Sequence, residues 1–370
     1  MQAQLNNVLG LGLHRTISRD SIISFAGSAN TKKAYKKFCK DLFEMGVTAD
    51  MLQQKEKEIR DIFQPQHSAA SNQSDGNQLP EVGSASSSTP ASTGREPKSQ
   101  SRFGWVRPSI DSFVGPSILA AAEAGNTKRL RYALGYVQNI NFVDDLKQTA
   151  LHKAAVEGHN DTVLLLLSKG ASIEAKDIFD CTPLHLAAMN GHNSTVELLI
   201  TKGASIEATD NNNNTPLHNA AFNGHTSTVV SLLSKGALIE AKDMGNNTPL
   251  HYAAEYGHTR TAELLLSRGA SIEAQNSFNK NTPLHQAAFD GHTSTVELLL
   301  MKGASIEATN KNRNTPLHGA ALNGHTRTVE LLLSKGASVD ALNSSHDTPL
   351  QLAITNDHPG VVDLLQACCP

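Results

Sequence analysis

The stretch "TDNNNNTPLHNAAFNGH" occupies Thr209–His225, four asparagines followed at once by Thr-Pro-Leu-His. The asparagines read as a loop, because Asn tolerates left-handed backbone and bonds locally to its own main chain. Thr-Pro reads as a helix start: Thr can accept a backbone N–H, and Pro sits where its missing N–H is harmless. The stretch is one copy of a unit. Thr-Pro-Leu-His stands at 182–185, 215–218, 248–251, 282–285 and 315–318, with Thr-Ala-Leu-His at 149–152 and Thr-Pro-Leu-Gln at 348–351. From Thr to Thr the step is 33 residues, except for 34 between Thr248 and Thr282. Gly-His keeps the same phase from 158–159 to 324–325, and Lys/Arg-Gly-Ala from 169–171 to 335–337. A period of this size means stacked supersecondary units rather than one large core.

Within Thr182–Gly203, Leu184, Ala187 and Ala188 follow the cap at helical spacing, and Gly191 ends the first helix. Val196, Leu199 and Ile200 make the apolar stripe of a second helix. Asn160, Asn193, Thr226, Thr259, Thr293 and Thr326 fall where that second helix needs a cap, and each residue type is able to supply one. Helices this short do not persist alone in water, so each unit must borrow its interior from its neighbours.

The phased T-P-L-H, A-A-x-x-G-H and G-A signatures resemble the ankyrin repeat. The resemblance covers about residues 116–370 and implies an all-α ankyrin-repeat solenoid of helix pairs with projecting β-turn fingers. About eight units begin near 116, 149, 182, 215, 248, 282, 315 and 348, the two end units being atypical. The family places Gly two residues before the Thr. Here Lys147, Asp180, Asn213, Asn246, Lys280, Arg313 and His346 stand there. Lys and Arg suit left-handed backbone poorly, so the tips before Thr282 and Thr315 are expected to depart from family geometry. In the family, the His of Thr-Pro-Leu-His bonds its own Thr and the Gly-His histidine steadies the inter-helix turn. The sixteen histidines are therefore expected to be structural, and neither metal nor cofactor is expected.

No phosphate-binding Gly-Lys-Ser/Thr loop, His-Glu-x-x-His helix or nucleophile elbow occurs, so the chain is not expected to be an enzyme or to take a small-molecule substrate. Recognition of another protein is the remaining reading. Just after the paired alanines, Val156, Met189, Phe222, Glu255, Phe289 and Leu322 vary while their surroundings repeat. At that phase the family's side chains face the concave groove. An apolar ladder is expected there, with Tyr252 and Tyr256 in the copy that carries Glu255; packing onto the adjacent repeat is the competing explanation. Phe179, Met244 and Phe278 form a second row at the fingers.

The front third differs in character. Residues 31–63 read as two helices (about 31–45 and 50–63) within an N-terminal helical segment, 1–63. Residues 64–104, rich in Ser, Gln and Pro, read as a disordered linker, and 105–115 as a junction carrying Trp105. Lys32, Lys33, Lys36, Lys37 and Lys40 form a basic patch, either a solvated face or a nuclear-import or phosphate-contacting one. No basic-zipper heptads follow, so direct nucleic-acid binding is not expected. Net charge is −3 and no apolar run is long enough to span a bilayer, so no membrane partner is expected. Four cysteines make no disulfide framework, which points to an intracellular, reduced protein. The layout of helical segment, Ser-rich linker and array resembles fungal ankyrin-repeat transcription coregulators. That resemblance implies a nuclear regulatory role with a transcription factor as partner. A cytoplasmic adaptor for signalling or degradation partners is the alternative.

Overall fold

A computed structural model describes residues 110–368 other than Gln138. The expected helices at 31–45 and 50–63, the linker, Trp105 and the five-lysine patch lie outside the described residues. Among the described residues sixteen helices run in eight consecutive pairs. The first members are α1 (Ile110–Glu123), α3 (Ala150–Val156), α5 (Pro183–Met189), α7 (Pro216–Phe222), α9 (Pro249–Glu255), α11 (Pro283–Phe289), α13 (Pro316–Leu322) and α15 (Pro349–Thr355). Their second members are α2 (Thr127–Leu134), α4 (Asn160–Ser168), α6 (Asn193–Thr201), α8 (Thr226–Ser234), α10 (Thr259–Ser267), α12 (Thr293–Met301), α14 (Thr326–Ser334) and α16 (Pro359–Ala367). Helix α1 begins at Ile110, ahead of Pro116, from which the repeat phase counts the first unit.

From α3 onward each first helix starts on a Thr in extended backbone. In the Thr182 unit, the Thr182 N–H donates to His185 Nδ1 at 3.1 Å and its hydroxyl lies 2.9 Å from the same nitrogen. His185 Nε2 lies 3.0 Å from the carbonyl oxygen of Asn214, in the next unit. A carbonyl can only accept, so Nε2 carries the proton and Nδ1 receives both groups of the threonine. The arrangement recurs at His152, His218, His251, His285 and His318. In the last unit the amide oxygen of Gln351 takes over the Nδ1 role, accepting from Thr348 N–H at 2.7 Å.

The second helices start differently from the sequence expectation. Asn160, Asn193, Thr226, Thr259, Thr293 and Thr326 occupy the first helical position, and the preceding histidine is the cap residue, without a side-chain capping bond. Four of the side chains reach across the stack instead, while Asn193 bonds Glu197 within its own helix and Thr326 the carbonyl of Gly324. Thr195 Oγ1 donates to Asn160 Oδ1 at 2.7 Å, and Thr226–Thr261, Thr259–Thr295 and Thr293–Thr328 hydroxyl pairs lie 2.9, 2.8 and 2.9 Å apart. Beneath them the core repeats. Leu184, Ala187, Ala188, Val196 and Leu199 are buried, as are their counterparts in the neighbouring units. The paired alanines let successive first helices approach closely, and each buried Leu or Val contributes roughly 1.5–3 kcal/mol.

The fingers form a ladder of their own. Backbone bonds run from Ile178 to Leu146, Asn211 to Phe179, Met244 to Asn212, Ser277 to Gly245, Lys311 to Asn279 and Ser344 to Asn312. Every tip expected to want glycine is left-handed, including Lys280 at φ 55° and Arg313 at φ 57°. The two doubtful tips thus keep the geometry of the rest, because inter-finger bonds and an internal Asx ring override the local preference. In that ring Asp210 Oδ1 accepts from Asn212 and Asn214 N–H, both at 2.8 Å. The extra residue before Thr282 is absorbed there: Asn276 Oδ1 accepts from Asn279 and Asn281, one residue further along than in the other fingers.

Candidate protein-docking face

The varied residues after the alanine pair are the last residues of their first helices: Val156 in α3, Met189 in α5, Phe222 in α7, Glu255 in α9, Phe289 in α11 and Leu322 in α13. Phe222 is 38% exposed and Phe289 45%; Met189 and Tyr256 are also exposed, while Val156, Tyr252 and Leu322 are half-buried. The side chains thus neither vanish into the core nor stand free of it. The backbone beneath them is fixed from the following unit. His192 Nε2 lies 2.7 Å from Val156 O, His225 Nε2 2.9 Å from Met189 O, and His325 Nε2 2.8 Å from Phe289 O.

The structure gathers three of these aromatics. The Phe222 ring lies 4.1 Å from Tyr256 and 5.8 Å from Tyr252, centroid to centroid. Tyr252 stands edge-on to His218 at 5.9 Å. Its hydroxyl donates to Asp243 Oδ2 at 2.7 Å and lies 3.2 Å from Asn214 Oδ1, which fixes the ring against the fingers. Burial and the nearby Asp243 carboxylate raise the Tyr252 phenol above its ordinary range, so it stays protonated as a donor. Beside the cluster, Glu255 accepts from Gln286 Nε2 at 3.3 Å. Burial raises its carboxyl, helped by repulsion from Asp290 and Asp243, and burial raises Asp290 likewise.

At the fingers Phe179, Met244 and Phe278 are all exposed, Phe278 at 69%. Phe278 lies over the preceding finger, so close that a Cβ on Gly245 would come within 2.7 Å of its ring. It is therefore both a cover for that backbone and an exposed apolar surface. The sequence pointed only to Tyr252 at a further position, four residues after each Thr, which in the other units holds Lys153, Leu186, Asn219, Gln286, Gly319 and Leu352. It varies as much as the ladder does, and that variation was its available signal. At Gly319 it opens a cavity of about 120 Å³ against Phe289 and the finger asparagines. A larger recess of about 740 Å³ lies among second helices, beside Arg131, Asp161 and Lys202, away from the aromatic cluster.

The five Thr-Pro-Leu-His histidines and His152 of Thr-Ala-Leu-His sit behind this face. Burial pushes all six imidazoles below their ordinary range, His251 to about 4, against the opposing pull of the carbonyls they contact. Cys181 is buried, and its thiol is pushed up to about 12. Among the described residues no group of three or more His, Cys, Asp or Glu side chains is placed to hold a metal ion. No described helix is long and apolar enough to cross a membrane.

The family of ankyrin repeats (3 copies) matches residues 114–177, 175–243, 238–310 and 284–369. The chain belongs to the ankyrin-repeat family. Among solved structures it is similar to the ankyrin repeat domain of Bcl-3, described as a unique member of the IkappaB protein family. The two are 33% identical, with a TM-score of 0.50, over 59% of this chain and 98% of that one. No curated protein matches the chain. Ankyrin repeats bind other proteins, so the array is a protein-interaction scaffold.

Proposed function

We propose that this ankyrin array grips a segment of a partner protein along the face between its first helices and its fingers. Val156, Met189, Phe222, Tyr252, Tyr256, Phe289 and Leu322 supply the apolar contacts, with Phe179, Met244 and Phe278 along the finger edge. The observation that carries this reading is the half-exposed Phe222–Tyr252–Tyr256 cluster, held on a backbone pinned from the following unit. Rigid, partly exposed aromatics are the usual anchors of protein interfaces. Glu255 and Asp290 suit a partner that places a Lys or Arg beside the anchors, where the cation would relieve their mutual repulsion. The role is regulatory and non-enzymatic, as a nuclear coregulator that tethers a transcription factor. The family resemblance and the lysines at 32–40 support it.

Affinity capture from the native cell tests the face directly. Phe222→Asp combined with Phe289→Asp removes the captured partner and leaves the melting curve nearly unchanged; loss of folding instead would mean that the rings are core. Imaging of the tagged chain, with and without Lys32, Lys33, Lys36 and Lys37 changed to Ala, tests the nuclear role. Cytoplasmic signal in both favours the adaptor.

A further inference from the structure

We infer that the cavity at Gly319 is a socket for one tyrosine side chain of the partner segment; this rests on the docking face proposed above. The argument is internal to the repeat. Tyr252 and Gly319 occupy the same position, four residues after Thr248 and Thr315. Around Tyr252 stand Phe222, His218, Asn214 and Asp243; the residues in register around Gly319 are Phe289, His285, Asn281 and Asn310. All four of the latter line the cavity. The walls that hold the Tyr252 ring are thus rebuilt two units further on, with the ring itself missing.

Size and chemistry agree with that occupant. The cavity measures about 120 Å³, somewhat less than the roughly 150 Å³ of a closed cavity that holds benzene, and it is open on one side, so an aromatic ring enters it with its stem outside. No Asp, Glu, Lys or Arg lines it, and burial disfavours the charged form of both His285 and His318, so nothing there neutralises a charged side chain. The apolar walls are Phe289, Leu322 and Leu352. At the finger side, Asn314 Oδ1 is buried without a hydrogen-bond partner, which a native fold seldom tolerates uncompensated. A neutral ring bearing one hydroxyl donor matches both halves: Asn281 and Asn310, in register with the Asn214 and Asp243 that Tyr252 reaches, bond each other at 2.9 Å, and the neighbouring Asn314 Oδ1 is the acceptor left open to a hydroxyl.

The test uses p-cresol as the tyrosine side chain and toluene as the same ring without the hydroxyl, titrated into the full chain while the methyl resonances of Leu322 and Leu352 are followed by NMR. The expected result is saturable shifts with p-cresol, at a Kd on the order of 1 mM, and at least fivefold weaker binding of toluene. Gly319→Tyr should fill the socket and abolish the p-cresol shifts while circular dichroism stays unchanged. Asn314→Leu should bring p-cresol down to the toluene level without closing the cavity, and serves if Gly319→Tyr does not fold. No shift with either probe overturns the socket, and equal binding of both overturns its assignment to tyrosine. Loss of the docking-face reading would show differently, as partner capture that survives Phe222→Asp with Tyr256→Asp, two residues outside the socket, while the p-cresol shifts persist.

Discussion

His258 Nε2 lies 2.8 Å from the carbonyl oxygen of Phe222, and the His258 ring covers Gly224 at the turn that follows Phe222. One imidazole therefore satisfies a helix-end carbonyl of the preceding unit and occupies the space where a side chain at Gly224 would go. His258→Ala should destabilise the array by about 1–3 kcal/mol, since it strands that carbonyl and opens a void. Gly224→Ala should cost a similar amount, with a left-handed φ of 71° and the ring in its way. Thermal melts of the two variants check this, and a melting point within a degree of wild type for both would contradict it.

Acidification should loosen the stack. The six buried imidazoles have folded pKa values below their unfolded value of 6.5, so the unfolded chain binds more protons between the two. Stability is complete above about pH 6.5 and falls as pH drops toward the folded values. For His251, with a folded value of about 4, the loss amounts to about 3 kcal/mol by pH 4. Denaturant melts at stepped pH should show it, with a shallower slope for His251→Gln, since Gln351 already serves in the last unit. A flat profile from pH 7 to 4.5 would falsify the assignment.

Lys280→Gly and Arg313→Gly should each stabilise the chain by roughly 0.5–1 kcal/mol. Relief of left-handed strain outweighs the added freedom of the unfolded glycine. A fall in melting temperature for both would mean that the side chains support the fingers in a way their φ values do not reveal.

At the fingers, Asp243→Asn should cost about 1 kcal/mol, because an amide nitrogen in place of Oδ2 cannot accept from the Tyr252 hydroxyl or Asn247 Nδ2, and Asp243→Ala about 2 kcal/mol. Asp243 accepts from the N–H groups of Gly245 and Asn247 and from the Tyr252 hydroxyl. Asn276, Asn310 and Asn343 hold the same ring in other units with an amide oxygen. Urea melts of the pair decide it; equal loss in both would show that the charge matters rather than the geometry.

Gly319→Ala should raise the melting temperature, by about 1 kcal/mol of stability. The glycine lies in the interior of α13, and a Cβ there would meet Phe289 only at ordinary contact distances of 3.5 Å and beyond. A decrease would indicate that the helix end is already strained at this point.

The repeat, the helix pairs and the buried Leu and Ala positions were legible in the sequence because each recurs in phase. The Thr–His bond was legible through the family. What the sequence hid was every link whose two ends lie in different units. Thr226 reads locally as a cap, and only stacking brings it to Thr261. Glu207 reads as a surface charge, yet its carboxylate accepts from Leu238 N–H at 2.9 Å. Arg313 reads as a misfit at its tip, since the neighbouring finger that holds Lys311 to Asn279 is invisible to local propensity. The Gly319 cavity was hidden for the same reason: an absent side chain has no pattern until the surrounding walls are known.

The additional residue between Asn276 and Asn281 leaves the bond from Ser277 N–H to Gly245 O intact, and the helices on either side keep their lengths. Small errors of copying are thus taken up at the loop margin, whereas whole units can be gained or lost from Thr to Thr without disturbing any rung. A gene of this kind is free to change its reach by duplication while its gripping surface is revised one unit at a time.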